Sequence, residues 1–185
     1  ANNIVYRNKA KINDDIYVSG NLGDSYLGLL VLKNKIKLNP KLKKYFTNQY
    51  FMPNIQLKLT DQIKKFANTS IDISDGLLAD LDKMINCQKL SYKLFLQDIP
   101  ISNNLKKILV LKNLSKINCI SNGDDYQVLF TASKNKMRII KKIAYNCRVK
   151  LTKIGSIQNL AQKSSIIDDK NRQITLKNKG YFHKF

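Results

Sequence analysis

Apolar and polar positions along the chain follow two rhythms. Short runs rich in Ile, Val, Tyr and Phe alternate with longer stretches in which Leu, Ile or Phe recurs every three or four residues. The first rhythm predicts strands and the second predicts helices with one buried face. Strands are expected at 15–19, 69–73, 90–96, 126–131, 151–157, 165–167 and 174–176. Helices are expected over 25–33, 40–50, 57–67, from Gly76 through Ile85, over 102–111 and over 133–147. Pro40 suits a first helical turn, and Ser102 and Ser133 are expected caps. In the helix over 133–147, Ile139, Ile140 and Ile143 form the buried face and the lysines the wet one. No internal repeat or low-complexity linker divides the chain.

Composition changes the picture little. A chain of 185 residues that is 43% hydrophobic can bury the core of one domain. Its net charge of +20 comes from lysine spread over nearly every segment, with arginine only at Arg7, Arg138, Arg148 and Arg172. A nucleic-acid binder concentrates its charge and interleaves aromatic residues, so solvated lysine faces are the better reading. All thirteen acids are Asp. Cys87, Cys119 and Cys147 lie far apart without metal-ligand spacing, and each is expected to be a small core residue. The chain opens on Ala1 rather than Met, so it is expected to be a piece of a longer protein. No signal peptide and no bilayer-length apolar run is present, so a cytoplasmic location is expected.

The candidate chemistry sits in residues 70–81, Ser-Ile-Asp-Ile-Ser-Asp-Gly-Leu-Leu-Ala-Asp-Leu, where a strand gives way to a helix. Ser74 or Asp75 is expected to cap that helix. Asp72, between Ile71 and Ile73, needs a partner: an opposite charge, a hydrogen bond or a cation. Two acids and a hydroxyl at a strand's carboxyl end are oxygen ligands of the kind magnesium prefers, and a helix start favours phosphate. Two further turns, Gly20-Asn21-Leu22-Gly23-Asp24 and Asn122-Gly123-Asp124-Asp125, precede a helix and a strand respectively. The aromatic end, Gly180-Tyr181-Phe182-His183-Lys184-Phe185, is expected to pack, with His183 as a packing residue.

Asp72-Ile73-Ser74-Asp75-Gly76-Leu77 with Ala79-Asp80-Leu81 resembles the Asp-Ile/Val-Ser-Asp-Gly-Leu motif of thiamine-monophosphate kinases. Gly123-Asp124-Asp125-Tyr126 running into Leu129-Phe130-Thr131 is similar to that family's Gly-Gly-(Asp/Glu)-Asp-Tyr-Glu-Leu-Leu-Phe segment. The arm from Arg7 to Asp14 with Val18-Ser19-Gly20, the strand Ile154-Gly155-Ser156-Ile157, and Gly180-Tyr181 with His183 are similar to three more of its segments, in the same order. Asn122, Gln127 and Gln56 depart from the pattern, standing where the family has Gly, Glu and Arg. The resemblance covers the carboxy-terminal half only. It implies a connecting arm over 1–13 from a missing amino-terminal domain, then a carboxy-terminal α/β (α+β) domain over 14–185. The implied fold is a mixed sheet layered with helices, as in the aminoimidazole ribotide synthetase group. The implied reaction is γ-phosphoryl transfer from ATP to thiamine monophosphate with Mg2+, in a homodimeric full-length protein. The implied roles are metal ligation by Asp72 and Asp75, nucleotide contact by Arg7 and Ser74, and substrate contact by Asp124 and Tyr181. Other ATP-dependent enzymes of that group are the alternative reading.

Overall fold

The computed structural model describes residues 5–86 and 88–174. Cys87, Tyr181 and His183 therefore lie outside the described residues, as does all but the start of the strand expected at 174–176.

β1 (Asp15–Ser19) is buried along its whole length. It lies inside a six-stranded sheet with β2 (Thr69–Asp72), β3 (Leu90–Phe95), β4 (Val128–Ala132), β5 (Leu151–Asn159) and β6 (Ser165–Ile167), ordered β2-β4-β1-β5-β3-β6. Neighbours are antiparallel except β3 and β6, so the sheet is mixed, as the family resemblance implies. Ile16 and Val18 belong to the larger core, with Leu22, Leu27, Leu77, Leu78 and Leu81. Tyr17 belongs to a second core with Phe66, Phe130, Ile140 and Ile143. A strand covered on both faces carries no wet side, which is why 15–19 shows little polar alternation. Tyr17 stacks on Phe130 with centroids 5.2 Å apart, and Phe66 meets Phe130 edge to face.

The helices are α1 (Asp24–Leu32), α2 (Pro40–Phe51), α3 (Leu57–Thr60), α4 (Leu77–Ile85), α5 (Asn103–Leu111), α6 (Lys116–Ile120) and α7 (Met137–Cys147). α1 and α2 approach closely at Gly28, where a Cβ would lie 2.2 Å from the Phe46 carbonyl oxygen. Ser102 caps α5 by accepting from the Leu105 amide at 3.0 Å, as expected. Ser133 does not cap a helix; it joins Asn68 around the buried carboxylate of Asp14. The long helix expected over 57–67 is α3 followed by a 3₁₀ turn at Ile63–Lys65. Its backbone tightens to three-residue spacing at Gln62, Lys65 and Phe66, which still delivers Leu59, Ile63 and Phe66 to the second core. α6 is an unexpected element of five residues that buries Ile117, Cys119 and Ile120. Cys119 is a core residue as expected, whereas Cys147 is only half-buried. Among the described residues, no helix is long and apolar enough to cross a membrane.

Candidate active site

The turn between β2 and α4 is organised by Asp80, not by Ser74 or Asp75. α4 has Gly76 at its start and no side-chain cap. Instead the Asp80 carboxylate, buried in the first turn, reaches back. Its Oδ2 accepts from the amides of Ser74 at 2.9 Å, Asp75 at 2.9 Å and Gly76 at 3.2 Å. Three free donors at a helix start are thus satisfied by one charge, with the helix dipole in its favour. Its Oδ1 accepts from Lys83 Nζ at 2.8 Å, and Lys83 is also paired with Asp75. Burial would lower the Lys83 amine, but its hydrogen bonds to Asp75 and Asp80 outweigh that and raise it. The sequence carried a signal for Asp80. It falls on the face of α4 defined by Leu77, Leu81 and Met84, where a lone acid must be hydrogen-bonded.

The loop 121–127 docks against this turn backbone to backbone. The Asp124 amide donates to the Ser74 carbonyl at 2.9 Å, the Tyr126 amide to Ile73 at 2.9 Å, and the Ile73 amide to Gln127 at 2.8 Å. Gly123 makes the contact possible: it sits at φ 67°, and a Cβ there would lie 2.2 Å from the Ser74 carbonyl oxygen. Asp124 and Tyr126 also take positive φ, which delays the strand expected from Tyr126 until Val128.

This docking places Ser74, Asp75 and Asp124 around one cleft of about 450 Å³, together with Asn122 and, from α1, α2 and the turn after α1, Tyr26, Tyr50, Lys33 and Lys35. Burial, and then the nearby charge of Asp75, raise the Asp124 carboxyl above its ordinary value. Asp72, the last residue of β2, is exposed and does not line this cleft. Nor does Arg7, which is exposed in a turn of the arm. A wider depression of about 740 Å³ beside Tyr145, Arg148 and Lys150 contains none of the motif residues. Among the described residues, no three carboxylate, thiol or imidazole groups gather closely enough to enclose an ion. Asp72 and Asp75 are hard oxygen donors of the kind magnesium takes, but two carboxylates are fewer than the ligands it needs.

Beneath the cleft lies a second pair of acids. Asp125 is buried and accepts from the Gly23 amide at 2.8 Å. Burial, followed by the charges of Asp24 and Asp124, pushes it up to about 8 against the pull of the Gly23 and Ser25 amides. Asp24 is raised too, chiefly by burial, although Ser102 and Tyr45 donate to it at 2.7 Å and 2.8 Å. Between the ordinary value of 3.8 and about 8, the folded protein holds a proton on Asp125 that the unfolded chain has released. Stability therefore falls as pH rises through that range, with a slope of at most about 1.4 kcal/mol per pH unit. Asp125→Asn is expected to flatten the fall, which denaturant midpoints at the two ends of the range will measure.

Two departures from the family pattern meet in space. Gln56 Nε2 lies 3.4 Å from Gln127 Oε1, and that same oxygen accepts from Ser19 Oγ at 2.8 Å. Where the resemblance implies an Arg and a Glu, this chain carries a neutral amide pair. The replacement leaves no buried charge without a counter-charge.

A six-stranded mixed sheet layered with helices is the fold of the aminoimidazole ribotide synthetase group. Hydrogenase maturation protein HypE superposes with a TM-score of 0.64 at 11% identity, which shows the fold alone. The chain belongs to the thiamine-monophosphate kinase family and corresponds to its carboxy-terminal half. It is 35% identical over 181 residues to the thiamine-monophosphate kinase of Buchnera aphidicola from Acyrthosiphon pisum, covering 96% of this chain and 54% of the relative. It is 31% identical over 156 residues to that of Aquifex aeolicus, covering 83% of this chain and 48% of the relative. The Stenotrophomonas maltophilia enzyme superposes with a TM-score of 0.78 at 26% identity, over 90% of this chain and 53% of that one. AaThiL complexed with AMPPCP and TMP superposes with a TM-score of 0.75 at 27% identity, over 95% of this chain and 53% of that one. The chain thus spans about half the length of the curated relatives it matches. No protein-family profile matches it.

Proposed function

We propose that the whole protein transfers the γ-phosphoryl group of ATP to thiamine monophosphate, giving thiamine diphosphate and ADP, and that this chain forms one wall of its active cleft. The observation that carries this reading is the main-chain docking of residues 73–76 against 121–127, which brings Ser74, Asp75 and Asp124 to one cleft. Phosphoryl transfer asks little covalent chemistry of a protein; it requires anions held together and their charge neutralised. Magnesium supplies that neutralisation when bound. Asp72 and Asp75 would give it anionic oxygens, and an amino-terminal half would complete the set. Ser74 holds the nucleotide through its hydroxyl or amide, and Arg7 reaches a phosphate. Asp124 orients the thiamine moiety, and Tyr181 stacks on its cationic ring. The functional unit is a homodimer of the full-length protein, working in the cytoplasm.

The test is a phosphoryl-transfer assay with ATP, magnesium and thiamine monophosphate, run on the full-length protein and on residues 1–185 alone. Only the full-length protein is expected to turn over. Comparable rates from residues 1–185 alone would overturn the one-wall reading. A preference for an aminoimidazole ribotide precursor or for selenide would move the protein to another branch of the same group.

A further inference from the structure

Asp75 already holds a cation, and that cation belongs to the chain. Lys83 Nζ lies 2.8 Å from Asp80 Oδ1 and is also paired with Asp75. The two ends of this bridge differ. Asp80 is fully buried and fixed by three backbone amides, so it is a permanent anchor for the ammonium. The Asp75 side chain is 29% exposed and faces the cleft, and Lys83 is 46% exposed. The Asp75 end is therefore open to exchange with ions from solution.

We propose that Lys83 is a resident stand-in for the metal: it neutralises Asp75 until a divalent cation takes that carboxylate, and then stays on Asp80 alone. This rests on the reading of Asp75 as a metal ligand. A divalent ion on Asp75 repels the Lys83 ammonium a few ångströms away. Metal entry at Asp75 therefore favours withdrawal of Lys83 onto Asp80. Its anchor on Asp80, three positions back on the same face of α4, keeps the ammonium nearby to return when the metal leaves. Because an exposed pair of this kind is weak, the exchange sets a threshold for metal binding and does not block it. Lys83 acts here as a positioning residue: it keeps Asp75 aimed at the cleft while uncharged by metal, and tunes the ion concentration at which the site fills.

The test uses Mn2+ as the probe and the amide signals of the full-length protein as the readout, since a bound paramagnetic ion broadens nearby amides whether or not the protein is active. Native chain, Lys83→Met, Lys83→Arg and Lys35→Met are compared, following Ser74, Asp75, Gly76 and Asp124. Lys35 lines the same cleft, so its loss controls for the removal of one positive charge. Lys83→Met is expected to reach half-broadening at about three- to five-fold lower Mn2+ than the native chain, the larger figure being what a pair worth about 1 kcal/mol predicts. Lys83→Arg, which restores the bridge, should match the native midpoint, and Lys35→Met should shift it less than Lys83→Met. Equal midpoints for Lys83→Met and the native chain, or equal shifts for Lys83→Met and Lys35→Met, would overturn the stand-in while leaving Asp75 a metal ligand. Absence of selective broadening around Asp75 in all four proteins would overturn the metal reading itself, and the stand-in with it.

Discussion

Asp80→Ala is expected to destabilise the chain by about 4 kcal/mol and to disorder the turn at residues 73–76. The carboxylate is fully buried and accepts three amides that have no helical partner. A hydrogen bond to a charged group contributes about 1.5–3 kcal/mol, three that share one oxygen together contribute less than three times that, and stranding the donors adds their desolvation cost. The side chain also anchors Lys83. Asp80→Asn keeps the volume and one acceptor oxygen, so about half the loss is expected. Denaturant unfolding of the two variants measures both numbers. A loss below about 1 kcal/mol for the alanine variant would mean that Asp80 is not what holds the turn. Loss of the turn would also release Ser74 from the loop carrying Asp124, so the cleft should open in the same variant.

Asp72→Asn is expected to behave oppositely, leaving the fold intact and removing at least about 100-fold of turnover in the full-length protein. Asp72 is exposed at the end of β2, paired in register with Val128. Exposed substitutions that conserve volume change stability by about 0.5 kcal/mol or less. Its value is therefore to be sought in chemistry. As a metal ligand it supplies a full negative charge, and the amide keeps only a dipole. Turnover measured across magnesium concentration separates the two cases. A near-normal rate at limiting magnesium would remove Asp72 from the ligand set.

Much of this was legible along the chain. The alternation of strand-like and helical rhythms placed β1, β2, β3, α2, α5 and α7 within a residue or two, apart from a later start to α7. Where tertiary contacts overrode the local pattern, the reading failed. The start of β4 depends on positive φ at Asp124 and Tyr126, which is imposed by docking against Ile73 and Ser74. The break after α3 likewise follows from delivering Phe66 to a core that no local window contains. The motif Asp-Ile-Ser-Asp-Gly marked the turn that lines the cleft, but its helix cap was misassigned. The capping role looked for in Ser74 and Asp75 belongs to an acid four residues into the next helix. The pairing of Gln56 with Gln127 could not be seen at all, since 71 residues separate the partners.

The backbone docking of residues 73–76 against 121–127 also bears on how such a chain tolerates mutational drift. Its contacts run from amide to carbonyl and are indifferent to which side chains project from either segment. What the junction cannot lose is hydrogen in place of a methyl group at Gly76 and Gly123, because an added carbon would strike a carbonyl oxygen at 2.3 Å or 2.2 Å. A sequence free of Glu and crowded with Lys and Asn can therefore substitute broadly around the cleft, at Asn122 for example, while its geometry persists. The vulnerability of this site to mutation is concentrated in two atoms' worth of empty space.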